Sequence, residues 1–190
     1  MPMIRETILA TTDSAGLVHL APLGLIEDGE ERIVAPFRPS RTLDNLCNVP
    51  FAVANYTDDV RIFAGCLTGR HQWPTVASHQ VPVRRLADAL AHAELAVVRV
   101  TEDKERPRFH CRVLRLATHA PFQGFNRAQA AVIEAAILVS RLDMLPREKI
   151  EQEIAYLKIA VGKTAGAAEL QAWQWLMESI SPRFPGLDRA

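Results

Sequence analysis

Three cysteines in 190 residues are too few for a disulfide framework. Cys47, Cys66 and Cys111 are odd in number and set among apolar neighbours. None belongs to a C-x-x-C pair, and no two histidines stand at H-x-x-x-H spacing, so a zinc site is not expected. An excess of charge of one sign is also missing. Lysine plus arginine and aspartate plus glutamate number 22 each. No overall field therefore draws the chain to nucleic acid or an anionic membrane, and any anion site has to be local. Glycine is sparse, and neither G-x-G-x-x-G nor G-x-x-x-x-G-K-[ST] occurs, which removes the dinucleotide and P-loop readings. Long apolar runs are absent too. "AAVIEAAILVS" is too short to cross a bilayer and is interrupted by Glu134. "MPMIRETILATTD" lacks the apolar core of a signal peptide. A cytoplasmic protein is the expectation.

What is present is an ordinary globular composition, 48% hydrophobic and 23% charged, in a chain long enough for one domain with an appendage. From Ile4 to about Thr118 the pattern is that of strands. "IRETILATTD" and "LVHLAPLGLIED" flank the turn "SAG", where Gly16 can take a positive φ, and form a hairpin by spacing. Asp28-Gly29 opens a second hairpin into "GEERIVAPF". "PFAVANYTD" is a fourth strand, "DVRIFAGCLTG" reads as a helix, and "ELAVVRVTED" with "RFHCRVLRLATH" forms a last hairpin around "DKERP". Six short strands with few crossover helices predict an antiparallel barrel.

From Asn126 the period becomes helical, with Val132, Ala135, Ala136, Val139 and Leu142 at three-four spacing. Asn126 is a candidate cap. Pro146 stands where a second helix begins, Gly162 and Gly166 bracket a break, and "AAELQAWQWLMESI" is a third helix. The expected fold class is α+β: a barrel domain over residues 1–118 and a helical C-terminal subdomain of three helices over 120–190.

One stretch carries chemistry. "PFRPSRTLDNL" places Arg38, Ser40, Arg41 and Thr42 at the start of a short helix. Two guanidinium forks, two hydroxyls and the free N–H groups of a first helical turn are the donors a phosphate ester needs. Charge-assisted bonds of this kind contribute roughly 1.5–3 kcal/mol each. The alternative is a plain turn in which Ser40 or Thr42 caps the helix and Asp44 favours its dipole.

Taken with the strands around it ("TILATT", "HLAPLGL" and "RIVAPF" before, "FAVANYTDD" after), this stretch resembles the FMN-binding split barrels of the flavin-reductase-like superfamily. The matching residues are Ser40, Arg41, Thr42, Asn45 and Leu46, then Phe51, Val53 and Asn55. The tail, through "NRAQAAVIEAAILVSRLDML" and "GKTAGAAELQAWQWL", resembles a domain-of-unknown-function branch of that superfamily with a helical C-terminal appendage. The resemblance implies an antiparallel split β-barrel of the FMN-binding type. It also implies FMN as cofactor and a homodimer with the flavin near the subunit interface. It places Arg38, Ser40, Arg41 and Thr42 at the phosphate, and Thr11, Thr12, Pro22, Leu23 and Gly24 at the ring and ribityl chain. Gly24 lets backbone approach a flat ligand or else marks a bulge. Asn55 is a donor to the ring or ribityl hydroxyls, or else satisfies a strand end. The implied activity is a flavin-dependent oxidoreductase acting on a nicotinamide or another small-molecule substrate. A non-catalytic FMN-binding or electron-carrier module is the alternative. No match identifies a catalytic acid or base.

Other residues have bland readings. His19 and His110 read as packed or edge histidines, and Cys111 as core. His71 and Trp73 form a loop pair, either over a flavin face or anchoring their own segment. Glu134 is a candidate partner for Arg127 or Arg141. Lys163 and Thr164 read as helix termination and capping more readily than as an anion pocket. Trp173 and Trp175 cannot share one side of a helix.

Overall fold

A computed structural model describes residues 2–184. The chain order is β1 (Met3–Thr12), β2 (Val18–Asp28), β3 (Glu31–Val34), α1 (Arg41–Asn48), β4 (Phe51–Tyr56), α2 (Val60–Leu67), β5 (Thr75–Val76), β6 (Arg85–Leu86), β7 (Ala91–Thr101), β8 (Arg108–Thr118), α3 (Arg127–Val139), α4 (Arg147–Thr164) and α5 (Ala167–Ile180). Two compact units result. One comprises residues 1–57 and 72–122, and the other 58–71 and 123–190. The short helix α2 thus belongs with the C-terminal helices, although it lies between strands in the chain.

In the first unit six strands close into a barrel in the order β1-β2-β3-β8-β7-β4, with β4 pairing back onto β1. Every pairing is antiparallel. The two turns expected to carry glycine do so with φ of 83° at Gly16 and 58° at Gly29, a region that Cβ disfavours for other residues. Alternation sets the faces. Leu9, Leu25, Ala52, Ala54, Ala93 and Leu95 fill the interior. Their neighbours, such as Ile8, Val53 and Glu94, point to the other face and are buried as well. Leu43 and Leu46 of α1 join the interior cluster, so the helix packs onto the barrel core by its apolar stripe. Cys111 lies in that interior, where burial pushes its thiol up to about 12. It is a core residue, as expected.

A two-stranded ribbon, β5 with β6, was not anticipated. Each of its strands has only two residues, too short to leave an alternating pattern. Residues 72–90 around it are held to the barrel's outer face by buried side chains of β4 and β7. Asn55 Oδ1 accepts from Leu86 N at 2.8 Å, and Glu94 accepts from the backbone N–H groups of His79 and Gln80 at 3.0 and 2.6 Å.

The second unit packs α2 with α3, α4 and α5. Its core holds Val60, Ala64, Val132, Ala135, Ile150, Ile154, Leu176 and Ile180. Asn126 caps α3 by accepting from Ala128 N and Gln129 N, which satisfies two otherwise orphaned donors. Pro146 occupies the cap position of α4 rather than its first turn. Helix α4 continues through Gly162 to Thr164, and the break falls at Ala165 and Gly166. Helix α3 ends at Val139, three residues before Leu142, which still packs against the core from the following turn. Thr164 Oγ1 accepts from Ala128 N and Gly166 N donates to Glu169, so the Lys163–Gly166 stretch works as a helix junction. Trp173 and Trp175 both pack against the core, and the Trp175 ring also carries the Arg70 guanidinium 4.5 Å from its centre. Among the described residues no ion pair joins exposed Glu134 to Arg127 or Arg141. No described helix is long and apolar enough to cross a membrane.

Candidate functional site

The arginine-serine-arginine-threonine stretch is fastened at both ends. Ala35 O accepts from Arg106 at 2.8 and 3.1 Å, the Arg106 guanidinium covers the Phe37 ring at 4.4 Å, and Arg38 N donates to Glu105 O at 2.8 Å. The β7–β8 turn thereby grips residues 35–38. Helix α1 begins directly after Ser40, whose extended backbone and side chain make it the cap: Oγ accepts from Leu43 N at 3.2 Å. The capping reading therefore holds for Ser40. Because its hydroxyl accepts in that role, its own proton remains for another acceptor.

Four donors of the stretch differ in what they already do. The Arg38 guanidinium sits 3.3 Å from Glu102, and that of Arg41 lies 3.9 Å from Asp13, both at exposed positions. Pairs of this kind contribute about 0–1 kcal/mol, so either guanidinium can be drawn to a stronger anion at little cost. Thr42 is buried in the first turn. The structure brings Arg41 to the Thr12–Asp13 end of β1, whereas Arg38 is turned to the β7–β8 hairpin.

The two threonines of β1 separate into different roles. Thr11 faces the barrel core, and its Oγ1 accepts from Asn45 Nδ2 of α1 at 3.0 Å. Thr12 points to the opposite face, and its buried Oγ1 has no hydrogen-bond partner among the described residues. A buried hydroxyl left unpaired is costly and uncommon in native proteins.

The hairpin positions are more constrained than the sequence suggested. Thr7 Oγ1 donates to Leu23 O at 2.8 Å. Pro22, Leu23 and Gly24 continue an unbroken register opposite Ile8, Thr7 and Glu6, so Gly24 is not a bulge. A Cβ at Gly24 would come within 2.7 Å of Ile4 Cγ2. Its missing side chain makes room for Ile4. Asn55 has backbone partners of its own. Its Nδ2 donates to Ile8 O and Val53 O and its Oδ1 accepts from Leu86 N, all buried. Backbone uses the whole amide, as the strand-end reading has it.

A second polar cluster was missed in the sequence. His92 and Glu94 are wholly buried on β7 and linked at 3.2 Å, and His92 Nδ1 lies 2.8 Å from His119 Nε2. Strand β7 begins at Ala91, three residues before the predicted start, which left His92 outside the strand. The signal was an H-x-E spacing that puts both side chains on one face of an otherwise apolar run. His110 is buried beside Glu31, Arg99 and Thr101, in keeping with a packed edge histidine. Among the described residues no group of acidic, histidine or cysteine side chains could hold a metal ion.

Comparison with known proteins places the whole chain. Residues 5–120 match the model described as the N-terminal domain of a protein of unknown function (DUF447), and residues 126–178 match the companion DUF447 model. The chain belongs to the DUF447 family. No curated protein matches it. An FMN-bound DUF447 protein from Methanosarcina mazei is similar over 93% of this chain and 94% of that one, at 21% identity and a TM-score of 0.81. The 2-nitrobenzoate 2-nitroreductase of Pseudomonas fluorescens is similar over 62% of this chain and 64% of its own, at 17% identity and a TM-score of 0.52. A flavoredoxin from Methanosarcina acetivorans is similar over 62% of this chain and 69% of its own, at 15% identity and a TM-score of 0.52. The DUF447 barrel is thus an FMN-type split barrel in fold, and its α+β class is as the sequence implied.

Proposed function

We propose that this chain binds FMN with its phosphate at the start of α1 and acts as a flavin-dependent oxidoreductase on a nicotinamide or another small substrate. The observation that carries the reading is the buried Thr12 hydroxyl, which no described residue partners, at the end of β1 to which the first residue of α1, Arg41, brings a loosely held guanidinium. These residues fit a phosphorylated ligand. Arg41 and the first-turn N–H groups of α1 present positive potential, and the Ser40 proton and Thr42 complete a donor set. Thr12 offers its hydroxyl to the ribityl or ring atoms, with Pro22 on the same face of the neighbouring strand, while Leu23 faces the barrel interior and backs that strand. Thr11, Gly24 and Asn55 take supporting roles in this assignment. They hold α1, Ile4 and residues 72–90 in place. Arg38 joins the phosphate only by leaving Glu102.

Bound FMN would supply the hydride or electron step, while the protein supplies orientation and electrostatics. Two further supports are the FMN bound by the Methanosarcina mazei family member and the reductases among the proteins of similar fold. A homodimer is part of the same reading. Exposed Met3 and Ile4 on β1, Val98 and Val100 on β7 and Leu116 on β8 offer apolar surface for it, and light scattering in solution tests it.

The visible spectrum of the purified protein, with any released pigment identified by mass, tests cofactor binding. Anaerobic reduction by NADH or NADPH, then reoxidation with candidate acceptors, tests catalysis. A protein that binds FMN and turns over with no donor is an electron carrier instead.

A further inference from the structure

Side chains two apart on a strand share a face, so His92 and Glu94 of β7 both point away from the interior that holds Ala93 and Leu95. Both are wholly buried. Glu94 accepts from His79 N at 3.0 Å and Gln80 N at 2.6 Å, and its Oε1 lies 3.2 Å from His92 Nε2. The other ring nitrogen of His92 meets Nε2 of His119, an exposed residue just after β8, at 2.8 Å. The two ring planes differ by 8° and the ring centres are 5.0 Å apart. A centre separation equal to the nitrogen–nitrogen distance plus a ring radius at each end means the rings meet edge to edge. They share an in-plane N–H···N bond and are not packed face on face.

Counting donors leaves one neutral arrangement. Burial alone would push the Glu94 carboxyl up, but the His79 and Gln80 backbone donors and His92 outweigh it and hold Glu94 below the usual carboxylate range. An ionised carboxylate only accepts. His92 must then carry its proton on Nε2, which makes Nδ1 an acceptor. His119 must in turn carry its proton on Nε2, which leaves Nδ1 with a free lone pair on a side chain that solvent reaches.

We propose that His119 is a proton-exchanging base, with His92 and Glu94 as positioning residues that fix its tautomer in series. The role is independent of the FMN reading. When Nδ1 takes a proton from a ligand, the ligand keeps the electron pair and the imidazolium keeps its Nε2–H bond to His92, now charge-assisted. No other bond breaks. A buried carboxylate that orients one imidazole is a known way to fix its tautomer, and here a second imidazole extends that to the surface. The charged groups acting on the pair are Glu94 on β7, Arg85 on β6 and Arg115 on β8. Burial, then Arg85, His92 and Arg115, hold His119 below the usual histidine range. The lone pair is therefore available at neutral pH.

Nitrogen-15 NMR of the imidazoles in the full chain, near neutral pH, should place His92 and His119 in the Nε2–H tautomer and exposed His71 in a mixture. Diethyl pyrocarbonate, with peptide masses read over time, should modify His119 several-fold faster than His71. Glu94→Gln should bring His119 to the His71 rate and mix its tautomers. His92→Phe should do the same while leaving the Glu94 contacts to His79 and Gln80 in place, and it decides the matter if Glu94→Gln does not fold. An Nδ1–H tautomer at His119 would overturn the proposal. So would a rate equal to that of His71, or one that neither substitution changes.

Discussion

Asn45 Nδ2, on α1, donates to Thr11 Oγ1, on β1, across 3.0 Å in a buried setting. Together with the core packing of Leu43 and Leu46, this bond ties α1 to the end of β1 and so helps to fix where Arg41 and Ser40 stand relative to Thr12. Asn45→Ala leaves the Thr11 hydroxyl without its donor and opens a small void. The expected loss is about 1–3 kcal/mol of stability, read as a lower urea midpoint at unchanged slope. An unaltered midpoint would mean the bond does not hold the helix.

Thr12→Val separates ligand binding from folding by the sign of its effect. The hydroxyl has no partner among the described residues, so its replacement by a methyl of similar shape should leave stability unchanged or raise it slightly, by up to about 1 kcal/mol. FMN affinity should fall about three- to tenfold, one neutral hydrogen bond's worth. Thermal melts and flavin fluorescence quenching on the same samples read both. A destabilised variant with normal FMN affinity would assign Thr12 a purely structural role.

Arg41→Ala and Ser40→Ala should behave differently from each other. Arg41 is exposed and 3.9 Å from Asp13, so stability should change by less than about 0.5 kcal/mol, while FMN binding weakens by about 1.5–3 kcal/mol. Ser40 caps α1, and its loss should cost about 1 kcal/mol of stability in addition to any binding effect. Equal melting temperatures for the two variants would contradict the capping role.

Acid should loosen the β7 cluster in two stages with the same sign. His92 and His119 lie below the ordinary 6.5, so under that pH the unfolded chain takes up protons first and stability falls. Glu94 lies below its ordinary 4.5. It contributes stability above that pH and loses it as pH drops through the lower folded value. Urea midpoints should therefore decline from neutral pH downward and again below 4.5. In Glu94→Gln the second decline should shrink. A second decline of the same size in the variant would show that other carboxylates carry it.

The barrel was legible because its strands alternate and its turns carry glycine where φ is positive, as at Gly16 and Gly29. Helix α5 was legible to the residue, Ala167–Ile180, because a glycine precedes it. The β5–β6 ribbon was not legible, since two-residue strands have no period to read. In the candidate site, the helix start at Ser40–Arg41 could be read from residue types alone, because capping and anion binding call for the same side chains. Which of Thr11 and Thr12 is already satisfied could not. That depends on Asn45, 34 positions away from Thr11. The packing reason for Gly24 was hidden in a similar way: the group that occupies the space of its missing Cβ is the Ile4 side chain on the paired strand. The Glu94–His92–His119 chain joins strand neighbours to a residue 27 positions on from His92, a relation that only the β7–β8 pairing creates.

The most direct measurement compares FMN with riboflavin, which lacks only the phosphate, by fluorescence titration of the wild-type chain and of the Arg41→Ala, Ser40→Ala double variant. A phosphate held at the start of α1 predicts that the wild type binds FMN far more tightly than riboflavin and that the double variant loses most of that preference. Equal affinities for the two ligands in the wild type, or a preference that survives both substitutions, would contradict it.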